Sequence, residues 1–168
     1  MKVNLLKLML LLPVIFVMNS CSSDSSEETA NSTSAVIVEN YTYSDTELET
    51  MKLINEYRVS VGLNPLEKIN HISYKSEEHD YYMIDKKTPS HDGFVDRSNN
   101  IMKLLGATTV GENVAYNYNT AEGALAAWLK SAAHKKNIEG NYTHFGISIR
   151  QDAATGKKYY TNIFARID

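Results

Sequence analysis

Residues 120 to 167 read TAEGALAAWLKSAAHKKNIEGNYTHFGISIRQDAATGKKYYTNIFARI, and this stretch decides the fold because its hydrophobic period changes partway along. In the first part Ala121, Ala124, Leu125, Trp128, Leu129 and Ala132 fall three and four residues apart, which is the stripe of an amphipathic helix. Thr120 can cap its start, and His134, Lys135 and Lys136 fill a last turn where the negative end of the helix dipole favours cations. The small residues of the stripe suit close packing on a sheet. The second part alternates instead: Phe145, Ile147 and Ile149, a turn at Ala154-Thr155-Gly156, then Tyr159, Thr161, Ile163, Ala165 and Ile167. The chain therefore closes with a helix followed by a β-hairpin.

Upstream, the helical period dominates. Ser44-Asp45-Thr46-Glu47 has the capping-box pattern, after which Leu48, Met51, Ile54 and Val61 recur near helical spacing and Gly62 supplies the stop. Asn64-Pro65 turns the chain into a second helix, capped by Asn70, with Ile72, Ser76, His79 and Met83 on one face. Pro89 ends it and leaves Ser90-His91-Asp92-Gly93 in a loop, and a short helix from Ser98 to Leu105 is closed by Gly106. Helices first and antiparallel strands last predict an α+β domain in which helices cover a sheet.

The amino terminus reads differently. Lys2 and Lys7 precede an unbroken apolar run from Leu8 to Met18, so residues 1–20 have the layout of a secretory signal peptide, and the run is too short for a spanning helix of about 20 apolar residues. Cys21, the single cysteine of the 168 residues, stands at the position of a lipid-modified cysteine, with small Ser20 before it. Several acyl chains there would anchor the protein stably where one would not. From Ser22 to Ser34 the chain has no aromatic or branched aliphatic residue, so it cannot bury enough surface to order itself. The expected organisation is a signal peptide (1–20), a lipid-anchored acidic tether (21–43) and one domain (44–168). Asp24, Glu27 and Glu28 near the anchor resemble signals that sort lipoproteins to the outer face, and they equally suit a solvated linker. The expected location is the cell envelope, at the outer membrane, on its periplasmic or its surface side.

With Cys21 spent on the anchor, no thiol is left for a disulfide, a zinc-thiolate site or a nucleophile. The formal net charge is −3, which argues against a nucleic-acid partner, since that backbone demands a basic stripe.

Several segments together resemble one family. Met51 to Leu66 (MKLINEYRVSVGLNPL), Ser90-His91, Gly111-Glu112-Asn113-Val114-Ala115, Trp128 to Ile138 (WLKSAAHKKNI), Phe145-Gly146-Ile147 and Tyr160 to Phe164 occur in the order found in the bacterial branch of the CAP, or SCP, superfamily. Its eukaryotic relatives are cysteine-rich secretory proteins, antigen 5 and pathogenesis-related 1 proteins. The resemblance implies an α-β-α sandwich with a central, mainly antiparallel sheet and a cleft lined in many members by two histidines and two glutamates. His91, Glu112 and His134 take three of those places; the resemblance puts Ser131 in the fourth, where a glutamate is expected, and Glu122 does not replace it.

Two imidazoles and one carboxylate form a ligand set suited to a divalent metal such as zinc, with a fourth position open for water that could act as a nucleophile. The intervals from His91 to Glu112 and from Glu112 to His134 are long, so convergence rests on the family fold. Without metal, Glu112 could hold His91 or His134 as a general base. The alternative for His91 and Glu112 is a loop-fixing role, and for His134 a cation finishing its helix. Asn113 reads as a structural hydrogen-bonder, His144 as a strand-edge residue, His79 as a core or pocket-wall residue, and His71 as exposed and incidental. Trp128 reads as a core anchor; the tyrosine clusters Tyr81-Tyr82, Tyr116-Tyr118 and Tyr159-Tyr160 could line a ligand surface, and most of them are expected to be half-buried sheet and helix residues instead. The functional expectation is a tethered envelope lipoprotein whose cleft binds an extracellular ligand (lipid, peptide or glycan) or a divalent metal. A peptidase-like hydrolase and an adhesion module with a vestigial cleft are the alternatives.

Overall fold

The structure, a computed structural model, describes residues 36–168. The signal-peptide segment, Cys21 and the acidic stretch after it lie outside the described residues. Five helices and four strands follow in the order α1 (Asp45–Ser60), β1 (Glu67–Lys68), α2 (Asn70–Lys86), α3 (Phe94–Leu105), β2 (Thr109–Tyr116), α4 (Ala121–Lys130), α5 (Ala132–Ile138), β3 (His144–Gln151) and β4 (Lys158–Arg166). The sheet order is β1-β3-β4-β2, antiparallel except for the short parallel β1–β3 pair.

Alternation along β4 divides the core. Tyr160 and Phe164, with Phe145 and Ile147 of β3, pack against Met51 and Ile54 of α1, Leu125 and Trp128 of α4 and Ile138 of α5. On the other face Ile163 and Ala165 meet Ile72 of α2 and Ile101 of α3, and Tyr159 meets Met83. This is the α-β-α sandwich with a mainly antiparallel sheet, and α2 fits so closely that a side chain at Gly146 would meet the backbone carbonyl carbon of Ile72 at 2.6 Å.

Helix α1 begins as its capping box requires: Ser44 Oγ accepts from the Glu47 amide, and Glu47 Oε2 accepts from the Ser44 amide at 2.7 Å. Glu47 is also buried, and its Oε1 accepts from the Ile149 amide and from Arg150 Nη1. At the other end of α1 the buried Arg58 donates to the carbonyls of Asn64, Ile138 and Gly140, closing α1 onto the end of α5.

Several local expectations change. The helix predicted from Thr120 through Lys136 is two helices, because Ser131 adopts φ −91°, ψ 120° and breaks it. Helix α3 starts at Phe94 rather than Ser98, and Asn70 is the first residue of α2 rather than its cap, which is Ile69. The cap role is unavailable to the Asn70 side chain because it accepts from the Tyr43 hydroxyl and donates to the Glu39 carbonyl. His71 is buried, accepting from the Val38 amide at Nδ1 and bonded through Nε2 to Asn100. These contacts fasten residues 38–43, read from sequence as the end of the tether, onto the domain.

One buried acid carries a consequence for stability. Asp80 of α2 is fully enclosed; Thr161 Oγ1 donates to its Oδ1 at 2.7 Å, and its Oδ2 has no partner among the described residues. Burial pushes the Asp80 carboxyl well above its ordinary value of 3.8, with Thr161 pulling the other way. A raised carboxyl is favoured in the folded state only while protonated, so its contribution is complete below 3.8 and is lost as pH rises through the folded value. Asp80→Asn, which keeps the shape of the protonated acid, should match wild type in thermal unfolding near pH 4 and exceed it by several degrees near pH 8. Parallel pH profiles for the two proteins would contradict this reading.

Candidate functional site

Strand β2 is the edge of the sheet beside β4, and the site is built around it. An edge strand needs its free backbone groups covered. Here side chains of the split helix cover them: Trp128 Nε1 donates to the Val114 carbonyl at 3.0 Å and Asn137 Nδ2 to the Glu112 carbonyl at 3.0 Å. Asn137 also bonds Asn113 Oδ1, and Asn113 Nδ2 donates to the His134 carbonyl. A straight helix could not follow the strand edge with both Trp128 and Asn137, which gives the break at Ser131 a physical role. Asn113 is thus the structural bonder its reading predicted, and Trp128 is the expected core anchor, 1% exposed.

Glu112 pairs with Ile163 across the ladder, so its side chain points toward α2 and α3. The carboxylate is 1% exposed and fully engaged. Arg97 of α3 grips it with two donors, Nε to Oε2 at 2.9 Å and Nη2 to Oε1 at 3.0 Å, while Arg97 Nη1 donates to the Asp92 carbonyl at 2.7 Å. His91 stands in the preceding loop, its side chain 53% exposed, with Nδ1 at 2.8 Å from Glu112 Oε1. A carboxylate only accepts, so Nδ1 carries a proton, and whenever the ring is neutral His91 Nε2 is the acceptor.

His79 of α2 backs the same carboxylate, with Nε2 at 4.0 Å from Glu112 Oε1 and donating to the Ser90 carbonyl at 2.7 Å. Its Nδ1 is buried without a partner among the described residues. Burial and then the Arg97 charge push His79 below its ordinary value, keeping it neutral at pH 7. His79 is therefore a wall residue of the site, as its helix-face position predicted.

His134 lies on α5, across the β2 edge from the Glu112 side chain. It lines a cavity of about 320 Å³ together with Tyr116, Tyr118, Trp128 and Ser131. Burial first, and the His91 charge second, push His134 below 6.5. His91 and Glu112 are in direct contact, and His134 shares their electrostatic neighbourhood without a hydrogen bond to either side chain. His144 is the strand-edge residue expected, at the start of β3.

The metal expectation meets a specific obstacle. Among the described residues no group of three or more His, Cys, Asp or Glu side chains is disposed to hold an ion. The one carboxylate of the set is already matched on both oxygens by a guanidinium, so a metal would have to displace Arg97 or share Glu112 with a like charge. The residues present do not fit a divalent ion at this position. Arg97, the group responsible, escaped the sequence reading.

Comparison with known proteins places the chain. The family model described as the cysteine-rich secretory protein family, CAP, matches residues 51–164. The uncharacterised protein YkwD of Bacillus subtilis is 33% identical over 105 residues, covering 60% of this chain and 41% of that protein. The uncharacterised membrane protein YlbC of the same organism is 29% identical over 134 residues, 71% of this chain and 34% of that protein. The chain thus spans well under half the length of these curated relatives. An outer surface protein of Borrelia burgdorferi superposes with a TM-score of 0.67 at 17% identity, over 78% of this chain and all of that one, which shows a shared fold. An extracellular protein containing an SCP domain from Bacillus anthracis superposes with a TM-score of 0.62 at 25% identity, over 72% of this chain and 40% of that one.

The shared neighbourhood of the two imidazoles can be measured. In a histidine-resolved NMR titration His134 should titrate below 6.5, and His91→Ala should move it upward, because one of the two causes of its depression is removed. An unchanged His134 titration in that variant would separate the two rings.

Proposed function

Because the chain belongs to the cysteine-rich secretory protein (CAP) family, we propose that it is an extracytoplasmic binding module, tethered in the cell envelope through Cys21, whose cleft at the β2 edge receives an extracellular glycan. The observation that carries this reading is the lining of that cleft: His134 and Ser131 beside the rings of Tyr116 and Tyr118, over a floor that includes the buried Trp128.

The chemistry favours a sugar. Aromatic walls take the apolar faces of pyranose rings, while a neutral imidazole and a hydroxyl meet sugar hydroxyls as acceptor and donor. A cavity of about 320 Å³ is at the small end for ligand sites, fit for one or two rings rather than an acyl chain. Burial keeps His134 neutral at pH 7, so no fixed cation there selects an anionic ligand.

Placement outside the cytoplasm is supported by the basic start and apolar run of residues 1–20 and by similarity to an extracellular and an outer-surface protein. No helix of the described residues is long and apolar enough to cross a membrane. A second reading, hydrolysis of an extracellular polymer with His91 Nε2 as general base, is favoured by the Glu112–His91 hydrogen bond alone.

All three core clusters lie within residues 36–168, so this segment carries its own core. A panel of soluble glycan fragments titrated into residues 34–168 should shift the NMR signals of His134, Tyr116 and Trp128, and His134→Ala should weaken binding about tenfold, the worth of one good hydrogen bond. Shifts confined to other surfaces, or produced only by peptides or lipid vesicles, would overturn the glycan assignment. Glycan cleavage that disappears in His91→Ala would promote the hydrolytic reading in its place.

A further inference from the structure

The occupant of the space facing Glu112 is an arginine of this chain, and its geometry is that of a built-in counter-ion. Arg97 presents two parallel donors to the two carboxylate oxygens, and the shortest approach of guanidinium to carboxylate is 2.8 Å. Its side chain is 10% exposed and that of Glu112 is 1% exposed, so the pair is shielded from solvent screening. The third donor, Nη1, is fixed on the Asp92 carbonyl, and Gly93 approaches so closely that a side chain there would meet Nη1 at 3.2 Å. The guanidinium is therefore held by hydrogen bonds on two sides, to the Glu112 carboxylate and to the Asp92 carbonyl.

We infer that Arg97 takes the place of a metal ion in this cleft: it neutralises Glu112 from within, turns His91 Nε2 outward as a hydrogen-bond acceptor, and makes the site one that receives neutral donors and rejects divalent cations. The inference is independent of which ligand the cleft takes. Without the guanidinium the same residues would form a different site. Glu112 would be an unmatched carboxylate with His91 at 2.8 Å and His79 at 4.0 Å, and His79 Nδ1 already lacks a partner. His79 Nε2 stays on the Ser90 carbonyl, so the freed carboxylate and His91 are the two donors a divalent ion would meet there. Arg97 thus determines the site's specificity, and removing it should convert an acceptor site into a cation site.

The test uses zinc alone as the probe, with residues 34–168 in the wild-type, Arg97→Met and Arg97→Lys forms, followed by calorimetry and by histidine side-chain NMR. Wild type should bind zinc no more tightly than millimolar, with the His91 and His79 resonances unmoved at one equivalent. Arg97→Met, which keeps the stem and removes the charge, should bind at least about tenfold more tightly, since a like charge within a few ångströms no longer opposes the ion. His91 should be the ring that shifts. Arg97→Lys keeps the cation and should stay as weak as wild type. Micromolar, one-equivalent zinc binding by the wild-type protein that engages His91 would overturn the inference outright, whether or not Arg97→Met folds. A folded Arg97→Met protein with no gain in zinc affinity would overturn it as well.

Discussion

The buried bond between Arg97 and Glu112 is the constraint around which this site is arranged. A carboxylate taken out of water costs several kcal/mol, and only a well-matched cation with its hydrogen bonds satisfied offsets that loss. The match fixes three things together: the start of α3, which carries Arg97; the edge strand β2, which carries Glu112; and the Ser90-His91-Asp92-Gly93 loop, tied through the Asp92 carbonyl to Nη1 and through His91 Nδ1 to Oε1. Without Arg97 the loop would lose the tie on its Asp92 carbonyl, leaving His79 on the Ser90 carbonyl and His91 on Glu112 to hold it.

The opposite face of β2 depends on a second set of bonds. Trp128 and Asn137 close the strand's open carbonyls, and Asn113 ties the strand to the His134 carbonyl. The side chain at position 112 points toward α2 and α3 and that at 113 toward α5, so consecutive residues of one strand organise the two faces of the β2 edge. Arg58 then holds the far end of α5 by its terminal carbonyls, and a buried guanidinium with several carbonyl partners and no carboxylate stays satisfied without a second buried charge. Domain and site share these struts, which is why cleft and core cannot be treated separately.

Much of this was legible in the sequence wherever one period ran unbroken. The stripe of α2 and the alternation of β3 and β4 read directly, the α1 stripe held only at Met51 and Ile54 because Leu48 and Val61 are exposed, and the resemblance supplied the sandwich and a cleft shared by His91 and Glu112. Strand β2 did not announce itself, because TVGENVAY buries Glu112 and Asn113 where alternation expects apolar or exposed residues. The break at Ser131 was hidden by alanines that continue the helical pattern on both sides; it exists because tertiary bonds to the strand edge outweigh local preference. His71 read as exposed because nothing local signals that residues 38–43 fold back over it. Arg97 was missed because the helix was read from Ser98, which left Arg97 in a loop where an arginine ordinarily stands in solvent; the usable signal was the bidentate fork itself, the residue type best suited to a buried carboxylate.

The same account explains how a family cleft can change its preference without changing its fold. The sandwich, the loop and the edge strand hold positions in space, and the charge balance at one carboxylate decides what those positions accept. A double-mutant cycle on Arg97→Met and Glu112→Gln, read by denaturant unfolding, tests that balance most directly. Each single change should cost about 3–5 kcal/mol by leaving a buried charge or donor unmatched, and the double change should cost less than their sum by about 2 kcal/mol or more. Additive losses would mean that the two residues do not depend on one another, and would contradict the account at its centre.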